Sequence, residues 1–309
     1  MSSIIMNPIT EVRAETGRDS WRVSLHGGHS AAFCDHASSP LEDIVVAALG
    51  QGFSTYGISE HAPRIETERL FDEEIAMGWT VEMLLDLFER YAAEVDRLKA
   101  KYAGRIALLK GFEIEVVPTG TYVETMLGFR ARFHFDYIVG SVHYVAGHII
   151  DYKREDFERA VAACGGFEAM AVTYYQDVAA MVRAMRPEVA AHLDLVVKNA
   201  PDPAAAETPP VRDAAYAALD AIAECGAILD VNTAGYRKGL GRPYPAPWLV
   251  RAASERGIPF CFGDDAHAVA QVGSHFEEAR RYLLELGVTE IHSLVPGADG
   301  LEKCAVTLI

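Results

Sequence analysis

The segment VSLHGGHSAAFCDHA, residues 23–37, ends a short apolar run with three histidines and a pair of glycines. His26, His29 and His36 are three of the eleven histidines in the chain. A buried neutral imidazole needs a hydrogen-bond partner, so a core strand gains nothing from such a cluster. A metal ion satisfies several imidazoles at once and is the commonest reason for histidines to gather. The segment therefore predicts a strand that ends in a metal site.

Strand-like and helix-like segments alternate along the rest of the chain. The further strand-like runs are FSTYGISEHAPR (53–64), IALLKGFEIEVV (106–117), FDYIVGSVHYV (135–145), EVAAHLDLV (188–196), AILDVNT (227–233) and IPFCFGDDAH (258–267). Helical patterns lie between them, among them a long one over about residues 155–185. This alternation predicts a parallel sheet with crossover helices, and about seven strands favour a closed barrel over an open sheet. No linker is evident, so residues 1–309 are predicted to form a single domain, with residues 1–20 as an N-terminal extension.

Composition limits the classes of function. The formal net charge is −16, which opposes binding to nucleic acid and suits a small substrate, particularly one that carries an amine. The five cysteines are widely spaced and form no Cys-x-x-Cys pair, which indicates reduced thiols. No apolar stretch is long enough to span a membrane. We expect a cytoplasmic protein without a nucleic-acid or membrane partner; the sequence does not indicate its oligomeric state.

Potential metal ligands recur at the ends of the strand-like runs. They are His26, His29, His61, Glu113, His143, His192, Asp265 and His267. In a barrel of parallel strands the carboxyl ends meet at one mouth, so residues distant in sequence reach one cavity. Asp264 and Asp265 are neighbours, and only one of them can point inward along a strand; the spacing to His267 favours Asp265.

The order of these motifs resembles the polymerase and histidinol phosphatase (PHP) family. Seven motifs follow one another in the order seen in that family, over about residues 22–285. They are the histidine cluster, ISEHAPR, GFEIEV, GSVHYV, AHLDLV, VNTAGYRKGL and GDDAHAVAQVG. The chain looks most like the histidinol-phosphate phosphatase branch. The resemblance implies an α/β fold, a distorted (βα)7 TIM-like barrel with a centre of two or three metal ions.

The resemblance also implies how the ligands divide among the ions. The first ion would be held by His29, Glu113, Asp265 and a further histidine of the first strand. The second would be held by His143, His192 and Glu113, which would bridge the two ions. The third would be held by His36, His61 and His267. Glu115 competes with Glu113 by parity, but Gly111-Phe112-Glu113 matches the family's pattern. Imidazole and carboxylate ligands suit zinc, iron or manganese, and a hydroxide bridging two ions is a nucleophile at neutral pH. The candidate catalytic residues are Glu113, Asp265 and His267.

One motif departs from the family's pattern. The family usually opens with His-x-His, whereas this chain has His26-Gly27-Gly28-His29, one residue more. In a regular strand His26 would face away and Gly27 would occupy the first ligand position. Alternatively, the two glycines accommodate a β-bulge that returns both imidazoles to a common face. We favour the bulge and predict that His26 reaches the metal ions.

The expected activity is hydrolysis of a phosphate monoester, most narrowly histidinol phosphate in histidine biosynthesis. The candidate phosphate-binding residues are Arg64, Arg237 and Lys238. Arg242 stands before the PYP turn, where related enzymes commonly have a glutamate, which leaves open a different small phosphorylated substrate. A non-catalytic metal-binding barrel is a further alternative, and the acidic composition opposes a nuclease. Cys34 is attributed to packing.

Overall fold

Seven short parallel strands form a closed barrel in the computed structural model, which describes residues 21–298 and 300–309. The strands are β1 (Val23–Ser24), β2 (Thr55–His61), β3 (Ala107–Glu113), β4 (Tyr137–Gly140), β7 (Val189–Ala190), β8 (Ile228–Asn232) and β9 (Phe260–Gly263). They follow one another around the barrel in chain order, and β9 closes it by pairing Phe262 with Ser24 of β1. The predicted seven-stranded α/β barrel is confirmed. The predicted extension, residues 1–20, lies outside the described residues.

Helices connect the strands and cover the outside of the barrel. They are α1 (Leu41–Gly50), α2 (Asp72–Ala76), α3 (Val81–Lys101), α4 (Tyr122–Phe133), α5 (Arg154–Cys164), α6 (Phe167–Met185), α7 (Pro209–Cys225), α8 (Ala234–Arg237), α9 (Pro247–Glu255) and α10 (Phe276–Glu285). The prediction of one helical run over about 155–185 is wrong in one respect. Gly165 and Gly166 adopt φ values of 81° and 139°, which end α5 before α6 begins.

Two antiparallel hairpins lie outside the barrel. The first consists of β5 (Tyr144–Val145) and β6 (His148–Ile149), beyond the carboxyl end of β4. The second pairs β10 (Glu290–Gly297) with β11 (Gly300–Thr307) near the end of the chain. None of the helices in the described residues combines the length and the apolar character that crossing a bilayer requires.

Helix α3 fixes the ends of two strands that carry predicted ligands. Its buried residues recur every three to four positions and face the barrel, as the amphipathic pattern predicts. From this face the Tyr91 hydroxyl shares its single proton between the carbonyl oxygens of Gly111, at 2.6 Å, and Ile58, at 3.0 Å. These bonds tie β2 to β3 two to three residues before His61 and Glu113, so packing outside the barrel positions the two side chains at its mouth.

Gly111 leaves room for an aromatic ring in the barrel interior. The Tyr137 ring lies against Gly111, and its hydroxyl donates to the Leu25 carbonyl oxygen at 3.0 Å. A Cβ atom at position 111 would overlap this ring, which is fully buried. The glycine before Phe112-Glu113 is therefore required by packing inside the barrel.

Substituting Gly111 by alanine is expected to lower the free energy of unfolding by about 1–3 kcal/mol, the usual cost of overpacking a core. Gly128→Ala is the control, because position 128 lies in α4 with no atom within 4 Å of the added Cβ. That change should leave stability the same or raise it by up to about 1 kcal/mol. Urea denaturation of both variants measures the difference, and equal midpoints would contradict the packing argument.

Candidate metal centre

The predicted ligands meet at the carboxyl mouth of the barrel. His61 and Glu113 are the last residues of β2 and β3 and lie opposite each other in the strand register. His36 lies in the loop between β1 and α1. The remaining predicted ligands follow the ends of β1, β4, β7 and β9: His26, His29, His143, His192, Asp265 and His267.

These side chains form four overlapping groups, in each of which the potential ligand atoms lie within 4.8 Å of one another. The groups are His26, His29 and Glu113; His29, Asp265 and His267; Glu113, His143 and His192; and Cys34, His36, His61 and His267. All nine predicted ligands belong to at least one group. The grouping resembles the division into three ion sites that the family resemblance implies, with Cys34 as an addition.

Glu113 lies at the centre with two imidazoles on each carboxylate oxygen. Its Oε1 atom is 3.0 Å from His192 Nε2 and 3.3 Å from His143 Nε2. Its Oε2 atom is 3.4 Å from His26 Nε2 and 3.0 Å from His61 Nδ1. Burial by itself would raise the pKa of Glu113, but the charges of His26, His143 and His61 outweigh it and hold the pKa well below its usual range. An ionised carboxylate with one oxygen toward each pair of imidazoles is suited to bridge two cations.

Three buried carboxylates orient three of the histidines. The Nδ1–oxygen pairs are His26–Asp230 at 2.8 Å, His29–Glu60 at 3.2 Å and His143–Glu115 at 2.9 Å. An Nδ1–H that donates to a carboxylate leaves the Nε2 lone pair free for a metal ion. Among the described residues, the buried His267 Nε2 atom has no hydrogen-bond partner, and the Nε2 atoms of His26 and His29 face only the carboxylates of Glu113 and Asp265, each at 3.4 Å. This donor set fits divalent transition-metal ions.

The carboxylates of the centre also favour positive charge. Burial opposes protonation of His29, yet hydrogen bonds with Asp265 and Glu60 raise its pKa to about 9. Asp265 Oδ1 lies 3.4 Å from His29 Nε2. The pKa of Asp265 is well below its usual range, because its hydrogen bond with His29 and the charges of nearby imidazoles outweigh the effect of burial. A site that stabilises imidazolium in this way is electrostatically prepared for a cation.

Each glycine of the His-Gly-Gly-His segment is required for a different reason. Gly28 adopts a φ of 81°, in the left-handed region that favours glycine. A Cβ at Gly27 would overlap the Asp264 carboxylate. The segment lies beyond β1, which ends at Ser24, so neither a regular strand nor a β-bulge describes it. The His26 and His29 ring centroids lie 6.1 Å apart, and the fully buried His26 imidazole lies in one group with His29 and Glu113.

A cavity of about 490 Å³ opens beside the ligand cluster, and all three predicted phosphate-binding residues line it. Arg64 is paired with the buried Glu74 carboxylate and stacks on the Phe71 ring. The Arg237 guanidinium donates to the carbonyl oxygens of Asp264, at 2.6 Å, and Asp265, at 3.0 Å.

Lys238 differs from the two arginines, because its ammonium makes no hydrogen bond or ion pair within residues 21–298 and 300–309. Burial and the charge of Lys198 lower the pKa of Lys238. Among the cavity-lining residues that the structure describes, Lys238 is therefore a cation that is free to receive an anion.

Arg242 lies outside the cavity lining and has a structural partner. Its guanidinium donates to the buried Asp194 carboxylate at 2.8 Å, and the same oxygen accepts from Ala246 N at 3.0 Å. Between them, Tyr244 forms part of the cavity wall. The arginine before the PYP turn therefore anchors this turn to the segment after β7, whereas the sequence related Arg242 only to the choice of substrate.

Three further residues of the ligand cluster and its carboxylate partners, Asp230, Glu60 and Cys34, are not among those predicted from the sequence. Asp230 lies between Leu229 and Val231 in a buried strand, and an acid in so apolar a run was a usable signal. Glu60 gives no such signal, because an acid at the end of a strand is ordinarily exposed. Cys34 carried a signal in its position two residues before His36, but a buried thiol is more often packing.

The chain belongs to the family of PHP domain proteins, whose model matches residues 26–234, more than half of its length. Relatives in this family include phosphatases of histidinol phosphate. A Schizosaccharomyces pombe protein named "Probable histidinol-phosphatase" is 32% identical over 282 residues, which is 90% of this chain and 91% of the relative. The histidinol-phosphatase of Bacillus subtilis is 29% identical over 259 residues, which is 79% of this chain and 94% of the relative.

A solved structure shows the same fold. The crystal structure of histidinol phosphate phosphatase from Lactococcus lactis contains zinc, L-histidinol and phosphate. It matches with a TM-score of 0.61 and 17% identity, over 88% of this chain and 96% of that chain.

Proposed function

We propose that the chain is a metal-dependent phosphoric monoester hydrolase that converts histidinol phosphate and water to histidinol and phosphate, a step of histidine biosynthesis. The observation that carries the proposal is the buried Glu113 carboxylate, which has two imidazoles on each oxygen beside an open cavity. The histidinol-phosphatases among its relatives support the choice of substrate. We assign the enzyme to the cytoplasm, where reducing conditions keep the five free cysteines as thiols.

The centre would hold two or three divalent ions chosen from zinc, iron and manganese. The first ion would be held by His26, His29, Glu113 and Asp265. The second would be held by Glu113, His143 and His192, and the third by His36, His61 and His267. When bound, such ions polarise phosphoryl oxygens and lower the pKa of water so that it can attack at neutral pH.

Three side chains of the protein would position the reacting groups. Glu113 stays ionised at neutral pH, so both of its oxygens remain acceptors between the two pairs of imidazoles. Asp265 also stays ionised, next to His29 and His267, where it can accept a hydrogen bond from the attacking water. The His267 Nε2 atom is buried and without a partner among the described residues, and the His267 ring stacks on His29 with centroids 4.2 Å apart. We therefore keep Glu113, Asp265 and His267 as the candidate catalytic residues.

Two groups in the cavity wall suit the two charged ends of histidinol phosphate. The free ammonium of Lys238 can bind a phosphate oxygen through a charge-assisted hydrogen bond. Glu115 Oε2 is buried and has no hydrogen-bond partner in the described part of the chain, so it can accept from the substrate's ammonium group. Arg64 and Arg237 already have protein partners and would act on the phosphate mainly through their charge.

The test is phosphate release after the purified protein is loaded with zinc, manganese or iron. Histidinol phosphate should be hydrolysed with a kcat/KM of at least about 10,000 M⁻¹ s⁻¹, within the usual range for enzymes. Sugar phosphates and phosphoserine should react at least about 100-fold more slowly. His61→Ala is the internal control for the third ion site, since retained activity in it would remove that site from the reaction. Faster hydrolysis of another phosphate monoester, or none of any, would overturn the proposed function.

Replacing Lys238 by alanine is expected to lower kcat/KM for histidinol phosphate about 10- to 100-fold, mostly through a higher KM. A hydrogen bond to a charged group contributes about 1.5–3 kcal/mol, and 1.36 kcal/mol corresponds to about tenfold. Lys101→Ala is the matched control, because Lys101 is exposed at the end of α3 and pairs with Glu42 on the protein surface. Steady-state kinetics on both variants measure kcat and KM. Equal KM values for Lys238→Ala and Lys101→Ala would show that Lys238 does not contact the phosphate.

A further inference from the structure

Cys34 lies beside the three imidazoles of the proposed third ion site. Its side chain is buried, with an exposed fraction of 5%. The ligand atoms of Cys34, His36, His61 and His267 all lie within 4.8 Å of one another. The thiol therefore lies inside the ligand group, within 4.8 Å of a ring nitrogen of each of the three imidazoles.

The local backbone holds the thiol in this place. Residues 30–37 form a compact loop in which Cys34 N donates to Ser30 O at 2.9 Å and Ala37 N donates to Cys34 O at 3.4 Å. Ser30 N in turn donates to the Glu60 carboxylate at 3.0 Å, which also holds His29. The loop is thus fixed to the same carboxylate that orients a neighbouring ligand, and Cys34 is directed at the site by backbone hydrogen bonds.

The distances already agree with a shared ion. Around tetrahedral zinc, bond lengths of about 2.3 Å to sulfur and about 2.0–2.1 Å to nitrogen separate the two donors by about 3.5 Å. The Sγ atom of Cys34 lies 3.5 Å from His36 Nε2 and 3.3 Å from His36 Nδ1. The His36 ring also stacks on His267, with centroids 4.7 Å apart. Sulfur and imidazole are spaced as two ligands of one ion are.

We propose that Cys34 is a thiolate ligand of the third ion and completes a set of three imidazoles and one sulfur with His36, His61 and His267. The inference rests on the metal centre proposed above and extends it by one residue. As the sulfur–metal bond forms, the S–H bond breaks and its proton passes to solvent, so binding of the ion releases one proton. A soft thiolate among imidazoles favours zinc over manganese, so the third position is expected to select zinc.

Cobalt(II) tests this directly, because a thiolate ligand gives a sulfur-to-cobalt charge-transfer absorption in the near ultraviolet that nitrogen and oxygen ligands do not. The metal-free full-length protein is titrated with cobalt(II) under anaerobic conditions. In the parent and in Cys164→Ser, the band should grow until one equivalent of cobalt(II) occupies the third site. The band should be absent from Cys34→Ser. The third ion should bind to Cys34→Ser at least about tenfold more weakly, no less than the loss that follows removal of an outer-shell partner.

A second variant protects the test against misfolding of Cys34→Ser. If Cys164, Cys225, Cys261 and Cys304 are all replaced by serine, Cys34 is the one thiol left, and the band should remain. Absence of the band from the parent protein, or its persistence in Cys34→Ser, would overturn the proposal. Phosphate release from histidinol phosphate, measured on the zinc-loaded parent, separates the two conclusions: hydrolysis without the band rejects the thiolate alone, and the band without hydrolysis rejects the proposed substrate alone.

Discussion

Glu113→Gln is expected to lower kcat/KM for histidinol phosphate by at least about 1,000-fold, together with a loss of bound metal. Glutamine has nearly the same shape as glutamate, but it is neutral and cannot bridge two cations with two anionic oxygens. Each oxygen of Glu113 now faces two imidazoles, so the substitution weakens two proposed ion sites together. A metal ion contributes several kcal/mol of transition-state stabilisation, and each 1.36 kcal/mol is about tenfold in rate. Phosphate release and elemental analysis of the same samples measure both effects.

Glu115→Gln is the matched control for metal content, since it makes the same chemical change two residues along the chain; its kcat/KM is not the control, because Glu115 is proposed to bind the substrate's ammonium group. Glu115 contacts the centre through His143 Nδ1, at 2.9 Å. A glutamine oxygen can still accept that hydrogen bond, so metal affinity should fall by no more than about 10- to 100-fold, the range for an outer-shell partner. If Glu113→Gln kept two ions per chain and activity within tenfold of the parent, Glu113 would not be the bridge.

The architecture of the barrel is readable from the sequence because the information is local. Apolar runs of four to eight residues, each followed by a polar side chain, predict buried parallel strands with their functional groups at one end. Seven such runs occur, and His61 and Glu113 end two of them, which are adjacent strands in the structure. The local pattern is misleading at Gly165 and Gly166, where apolar residues on both sides continue the helical periodicity across a turn.

The partners of individual side chains are not readable in this way, because they are set by contacts across the barrel. Asp230 and His26 are 204 residues apart and meet only when β8 and β1 take their places around the barrel. Arg64, Arg237 and Lys238 look equivalent in the sequence as cations after strand ends. The structure separates them, because Arg64 has Glu74 as its partner and Arg237 has backbone carbonyl groups.

Gly27→Ala is expected to lower activity by about 100-fold while the chain still folds. The Asp264 carboxylate fills the space that the new methyl group needs, and it is fixed there by the Tyr56 hydroxyl at 3.0 Å and by Gly273 N at 2.9 Å. Either Asp264 gives up these hydrogen bonds or the backbone at Gly27 moves. Both responses displace proposed ligands, because His26 precedes Gly27 and Asp265 follows Asp264. A displacement of about 1 Å at a reacting centre costs about 100-fold in rate.

Gly120→Ala is the control for this substitution, because a Cβ at position 120 has no atom within 4 Å. It should keep the activity and metal content of the parent, whereas Gly27→Ala should lose metal from the first proposed site. Both variants are compared by phosphate release, by elemental analysis and by circular dichroism. Activity of Gly27→Ala within threefold of the parent would mean that the segment tolerates a side chain between its two histidines. The additional glycine would then have no part in bringing His26 to the metal ions.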